Sequence, residues 1–433
     1  MKQLYKLCPL AAAATGISAL LAAAPAAAID FHTADNQWTF SVAGNINGHY
    51  IFSSCEGSDK AATISGGLAC SGSVSGSSVS NVGNGLLPAA LTFAVATTQE
   101  GYDISAHFGL YPGISTNDGG SPNLQQNTTD SNTALGTTGL DVRQVYMNFG
   151  NKDIGTFLLG RNFGLFGFDA IINDMTIPGV GVAGSMSTAN PANTSLGSIG
   201  LGYIYVDTLA QMDYTTPDFH GLSATLGIFD PINDGTDNAT PATVTMTPTQ
   251  KKSPGFHGKI SYTYKFDSAT KLYVSSAFLD QSQGYIRSDT GLAYTYNGFG
   301  IDGFAMMDWY NLEGFLYYYH GTGLGTTGLF FLSDDGLGDK RGSDGYLAQV
   351  TYKINRLKLG VNYGSSRLDY ANANDAANNP TLVSSNNKVT GGAYYSLTKN
   401  LTLLSEISDV RAKSHDDGTN HSVNFNVGAF LSF

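Results

Sequence analysis

The final thirteen residues, His421 to Phe433 (HSVNFNVGAFLSF), alternate in character and stop on an aromatic side chain. Val423, Phe425, Val427, Leu431 and Phe433 fall on one face of an extended strand, Ser422, Asn424, Asn426 and Ser432 on the other, with Phe430 the exception. A strand that ends the chain with no charge after it fits a closed membrane barrel, where the last strand turns apolar side chains to lipid and polar ones to a wet lumen.

The opposite end agrees. Residues 1–28 carry Lys2 and Lys6, an apolar stretch from Leu7 to Ala24 and a small-residue run, Ala26-Ala27-Ala28, which together read as an export signal cleaved before Ile29. Cys8 belongs to that signal, and the exported chain, residues 29–433, keeps Cys55 and Cys70. An even pair of cysteines flanking a Gly/Ser-rich stretch in an oxidising compartment is expected to form a disulfide; two free thiols are the alternative.

Charged residues make up only 13% of the chain, while Gly (53), Tyr (24) and Phe (23) are abundant. No exported segment approaches the roughly 20 apolar residues of a spanning helix. A barrel needs apolar residues only at every second strand position, and its closure satisfies the backbone hydrogen bonds. Without the signal lysines, twenty basic residues face 34 acidic ones, a net charge near −14. That balance argues against nucleic-acid binding.

Strand-like runs then follow in pairs: 38–52, 89–97 and 102–110, 141–149 and 154–161, 208–215 and 221–229, 257–266 and 271–281, 298–307 and 313–320, 345–353 and 357–363, 388–397, 401–411 and the terminal run. Sixteen strands, to within two, are joined by seven short turns and eight long loops. This predicts an all-β transmembrane antiparallel barrel wide enough for an aqueous channel, in a bacterial outer membrane.

Chemistry is otherwise sparse. Eight scattered histidines show no metal-ligand spacing and no nucleophile sits beside a base, so no catalytic, metal or cofactor site is expected. Gly323 to Gly328 matches a dinucleotide fingerprint by letters alone, with no helix to follow it. The acidic run Ser333 to Asp344 reads either as a divalent-cation site near the lipopolysaccharide or as a solvated loop.

Residues 141–181 resemble the general diffusion porins of enterobacteria. DVRQVYMNF, GTFLLGRNFG and DAIINDMTIPGVG are similar to that family's strand 4, strand 5 and the start of its loop 3, and YTTPDFHGLSATLG is similar to its turn between strands 6 and 7. The resemblance implies a homotrimer of sixteen-stranded barrels, each narrowed by an inward-folded constriction loop 3 whose acids face wall arginines. It also implies passage of small hydrophilic solutes, contact with outer-membrane lipid and lipopolysaccharide, and recognition of Phe433 by the barrel assembly machinery. On this alignment Arg143 is a wall arginine, Asp174 the first loop acid, Arg161 a residue where loop 3 leaves the wall, and Asp207 stands where another arginine is expected. The sequence departs from the family at Pro178-Gly179, where a glutamate would follow the proline, and it has no arginine before Arg143. Arg143 also reads as an interfacial strand-end anchor, and Arg161 as a brace for loop 3 through Asp169 or Asp174. The thinned positive wall predicts a modest cation preference. A structural or adhesive barrel, a substrate-selective porin and an enzyme built on a barrel are the competing functions.

Overall fold

The computed structural model describes residues 28–57, 64–70, 78–114, 140–183, 194–233, 244–249 and 251–433. The signal expected over residues 1–28 lies, except for Ala28, outside the described residues. The long strands are β1 (Trp38–Gly57), β2 (Ala90–Gln99), β3 (Tyr102–Pro112), β4 (Leu140–Asn151), β5 (Gly155–Phe163), β6 (Thr208–Thr215), β7 (Leu222–Phe229) and β8 (Gly255–Lys265). They continue with β9 (Thr270–Arg287), β10 (Ala293–Trp309), β11 (Leu312–Thr322), β12 (Gly342–Ile354), β13 (Leu357–Leu368), β14 (Val383–Ser396), β15 (Leu401–Ser414) and β16 (Thr419–Ser432). Each pairs antiparallel with the next, and β16 pairs back onto β1 from Asn420↔Gly57 to Ser432↔Asn45. The sixteen strands thus form the expected closed barrel, leaving no open edge in the membrane. Three short strands, Ile29–His32, Ser78–Gly83 and Met246–Pro248, thicken the rims beside β1 and β9.

The period-two pattern decides which way each strand faces. On β11, Leu316 and Tyr318 are exposed to the lipid side while Phe315, Tyr317 and Tyr319 are buried inside, and on β8 Phe256 and Ile260 face out while His257 is buried. Short turns close one end. Glu100 and Gly101 both take positive φ (51° and 82°) between Gln99 and its partner Tyr102, the two-residue turn whose twist matches a hairpin.

Two of the eight loops expected to be long are tight. β9 and β10 continue to Arg287 and Ala293, and β15 and β16 to Ser414 and Thr419. These extensions carry polar residues on both faces because they rise beyond the lipid, so apolar alternation fades before the ladder does. The sulfurs of Cys55, near the end of β1, and Cys70 are bonded, with the Cα atoms 5.1 Å apart. At the closing seam, Gly44 N–H donates to the Phe433 carbonyl (2.8 Å) and Phe433 N–H to the Gly44 carbonyl (3.0 Å). A Cβ on Gly44 would stand 2.4 Å from the Ala90 carbonyl oxygen and 2.9 Å from the Phe433 ring, so only glycine admits the terminal aromatic there.

Candidate channel constriction

Simple alternation along β4 puts Arg143 on the membrane face with Val145, Met147 and Phe149. The ladder shows why it is not there. Gly109 pairs with Gln144 but Tyr111 pairs with Asp141, so β4 holds one extra residue at this point. This bulge swings both Asp141 and Arg143 into the buried interior. Arg143 Nε donates to Asp141 Oδ2 (2.5 Å), and the guanidinium lies 5.5 Å from the centre of the Tyr111 ring. Tyr111 Oη donates to Gln144 Oε1, and Gln144 Nε2 donates to Asn162 Oδ1 (2.7 Å). Arg143 Nη2 is enclosed without a hydrogen-bond partner among the described residues.

Loop 3 (residues 164–207; 164–183 and 194–207 described) starts and ends beside this group. Its last residue, Asp207, has left-handed backbone (φ 59°), accepts the Thr208 N–H (2.6 Å) on its carboxylate and the Gly164 N–H (3.2 Å) on its carbonyl, so it ties the two ends of the loop together. Arg161 pairs with Val145 and Ala210 in the ladder, and its Nε donates to Thr208 Oγ1 at 3.2 Å. Asp207 stands in the fields of Arg161 and Arg143, and Tyr205 in those of all four charges, Asp141 included. The structure therefore gathers Arg143, Arg161 and Asp207 into one charged group at the root of loop 3, completed by Asp141, which the sequence reading passed over.

Asp169 and Asp174 lie elsewhere, along the loop itself. Asp169, in the first turn of α1 (Phe168–Asn173), accepts from Lys259 Nζ (2.6 Å) on β8 and from Tyr273 Oη (3.0 Å) and Ser275 Oγ (2.5 Å) on β9. Asp174, just past the helix, accepts from Thr176 N–H (3.0 Å) and Oγ1 (2.8 Å), Tyr203 Oη (3.1 Å) and Asn362 Nδ2 (3.3 Å). The cation that braces Asp169 is thus Lys259, a correction to the Arg161 brace expected from sequence.

Other inward side chains fasten the loop along its course. Asp302 on β10 accepts the Gly167 N–H (2.6 Å), and Gln349 on β12 exchanges bonds with Met175 N–H (2.7 Å) and the Asn173 carbonyl (2.8 Å). Glu406 on β15 accepts Val180 N–H (2.8 Å) and Gly181 N–H (2.7 Å) on one oxygen. Tyr394 Oη and Asn426 Nδ2 complete its shell at 2.6 and 2.9 Å. These anchors lie on inward side chains of strands from β8 to β15, so loop 3 is folded inside the barrel and fastened along its wall.

Burial reinforces them. Phe166, Ala170, Ile171, Tyr203 and Ile204 of loop 3 pack with Phe304, Phe315, Tyr317 and Tyr319 of the wall and with Leu324 and Phe330 of loop 6 (residues 323–341). Ile177 packs against Tyr394, Leu404 and Phe430, and Val182 and Leu201 against Leu68 of loop 1 (residues 58–89). Each fully buried apolar side chain contributes about 1.5–3 kcal/mol to holding the loop in place. Loop 6 is less solvated than its sequence suggests: Asp334 and Asp335 are buried, Asp334 accepting from Tyr285 Oη and from Gly338 N–H (3.1 Å). Among the described residues no cluster of three histidine, cysteine or carboxylate side chains is arranged to hold a metal.

The fastening residues Lys259, Asp302 and Glu406 were not singled out from the sequence. Their signal was parity, since a charge inside a strand whose neighbours alternate must face the lumen.

A Gram-negative porin family model matches residues 11–415. No curated protein sequence matches the chain. Among solved structures, the outer membrane channel DcaP of Acinetobacter baumannii superposes with a TM-score of 0.63 at 15% identity, over 93% of this chain and 99% of that one. An anion-selective porin from Comamonas acidovorans gives 0.54 at 13% identity, over 92% and 100%. Salmonella typhi OmpF in complex with daunomycin gives 0.50 at 12% identity, over 92% and 100%. At these identities the likeness establishes a shared fold. With the family match spanning nearly its whole length and the sixteen-stranded barrel beneath it, this chain belongs to the Gram-negative porins, channel proteins of the bacterial outer membrane.

Proposed function

We propose that this porin lets small hydrophilic solutes and ions diffuse passively across the outer membrane, with a modest preference for cations. The observation that carries the reading is a closed sixteen-stranded wall, apolar outside and polar inside, enclosing a loop whose root holds a mixed-charge group. Charges in a passage with low-dielectric walls act strongly on solutes. At the root of loop 3 and at Asp169 they almost cancel, since Arg143 is paired with Asp141, Asp207 lies in the fields of Arg161 and Arg143, and Lys259 is paired with Asp169, while Asp174, Asp302 and Glu406 along the loop add acid. What remains is the acidic balance of the chain. Screening over about 8 Å at physiological salt keeps the resulting preference to roughly a few-fold.

A substrate-selective porin is the second reading, favoured by the aromatic side chains that loops 3 and 6 bury inside the barrel. On either reading the chain is a homotrimer in contact with lipopolysaccharide, and Phe433 is the terminal residue presented to the assembly machinery.

The test is the zero-current potential of the purified protein in a planar bilayer under a salt gradient. The expected sign is cationic, increased by Arg143→Ala and reduced by Asp207→Asn. An anion-selective sign, or two silent variants, refutes the charge assignment; absence of conductance refutes the channel.

A further inference from the structure

Below loop 3, on the side of the short turns, the inner wall carries charges that the constriction does not use. Glu313 on β11 stands between Asp308 on β10 and Thr351 on β12 in the ladder, and Lys358 lies near the start of β13. All share the parity of inward residues: Asp308 that of Phe304 and Met306, Glu313 that of Phe315, Lys358 that of Asn362. Asp308 is paired on one oxygen with Lys271 Nζ (2.8 Å), while its Oδ1 is enclosed with no hydrogen-bond partner. Glu313 and Lys358 are half-buried, and among the described residues neither makes a hydrogen bond or an ion pair within 4.0 Å. Each feels the other's charge, and the Lys358 ammonium lies 5.1 Å from the centre of the Tyr394 ring. One strand, β12, lies between them, so their backbones stand two strand spacings apart, roughly 10 Å across the sheet.

An acid and a base that face the same space, remain in each other's field and lack protein partners leave bonding capacity that a solute can take up. The spacing is specific, because a molecule that satisfies both must carry opposite charges several bonds apart. We propose that Glu313 and Lys358 form a second charged station on the periplasmic side of loop 3 that binds zwitterionic solutes of the ω-amino acid kind, the solute ammonium on Glu313 and the solute carboxylate on Lys358. This rests on the channel reading above and adds a ligand class and a place to it. Lys358 is held over the Tyr394 ring, which positions the ammonium without consuming its hydrogen-bond donors.

The experiment is single-channel recording of the full-length protein with 6-aminohexanoate as probe and hexanoate as control. The probe is expected to reduce the potassium current saturably, and hexanoate, which meets only one charge, to do so more weakly. Glu313→Gln and Lys358→Met each weaken the apparent affinity for the probe about tenfold, the loss of one charge-assisted hydrogen bond. Lys358→Arg, which keeps the charge, retains the block, and an unheated gel shift establishes that each variant is folded. If the unmodified protein conducts but 6-aminohexanoate leaves its current unchanged, or blocks both neutral variants as strongly as the unmodified protein, the station is refuted while the channel stands. If the unmodified protein carries no current, the channel reading fails first.

Discussion

Removing the Glu406 carboxylate is expected to release the far limb of loop 3 while leaving the barrel intact. In Glu406→Ala the Val180 and Gly181 N–H groups, now bound at 2.8 and 2.7 Å, lose their acceptor in a buried setting. Each stranded donor costs about 1–3 kcal/mol, so the limb is destabilised by about 2–6 kcal/mol, and Tyr394 and Asn426 lose a partner as well. The barrel keeps its own strand-to-strand bonds, because Glu406 contributes only its side chain to the loop. A penalty of about 3 kcal/mol raises the open population of the limb roughly a hundredfold. Hydrogen exchange is the assay: the amides of residues 177–183 should speed up by that factor while those of β15 and β16 hold steady. Glu406→Gln, which retains one acceptor oxygen, should fall between the two. Gly179→Ala should imitate the effect from the other side, because its Cβ would lie 2.2 Å from Glu406 Oε1. Unchanged exchange at Val180 and Gly181 in Glu406→Ala would show that apolar packing alone holds the limb and that the carboxylate tether is not needed.

Three further outcomes are expected. Reducing the Cys55–Cys70 disulfide, which spans 15 residues of sequence, removes about 3 kcal/mol of local restraint by the chain-entropy account but leaves barrel unfolding unmoved; alkylation of both thiols in unreduced protein would contradict the bond. Arg341→Met strands Asp375 of α2 (Ala373–Asn378) without the bidentate partner now at 2.7 and 2.8 Å, costing about 3–5 kcal/mol in the joint between loop 6 and the loop after β13, read as protease cleavage there. Burial alone would raise the Asp375 pKa, but the hydrogen bonds from Arg341 and the Ala371 N–H, with the Arg341 charge, hold it below 3.8; the joint is therefore fully formed above that pH and loosens as pH falls through the depressed value. The unheated protein should migrate as a trimer and shift on boiling, and a monomer under chemical crosslinking would overturn that assembly.

What was legible in the sequence follows from the range of the forces involved. Strand identity is local, and alternation such as Phe256, Gly258, Ile260 against His257, Lys259, Ser261 announces itself within a few residues. The path of loop 3 is not local: Gly181 meets Glu406 and Gly167 meets Asp302 across 225 and 135 residues of sequence, and neither pairing leaves a trace near its own position. The orientation of Arg143 shows the same limit at the smallest scale. One extra residue in β4 reverses its face, and nothing in DVRQVYMNF distinguishes a bulge from a regular strand.

The seam between β1 and β16 constrains how the protein is made. Residue 57 pairs with residue 420, so the ladder that completes the cylinder is drawn between the two ends of the chain. Until the last strand emerges, β1 has one bare edge, and any intermediate holds unpaired donors and acceptors that lipid cannot satisfy. Pairings of such long range are slow to form and open to wrong partners while they wait. The cylinder is therefore complete only when the two most distant strands of the sheet meet and Phe433 settles over Gly44.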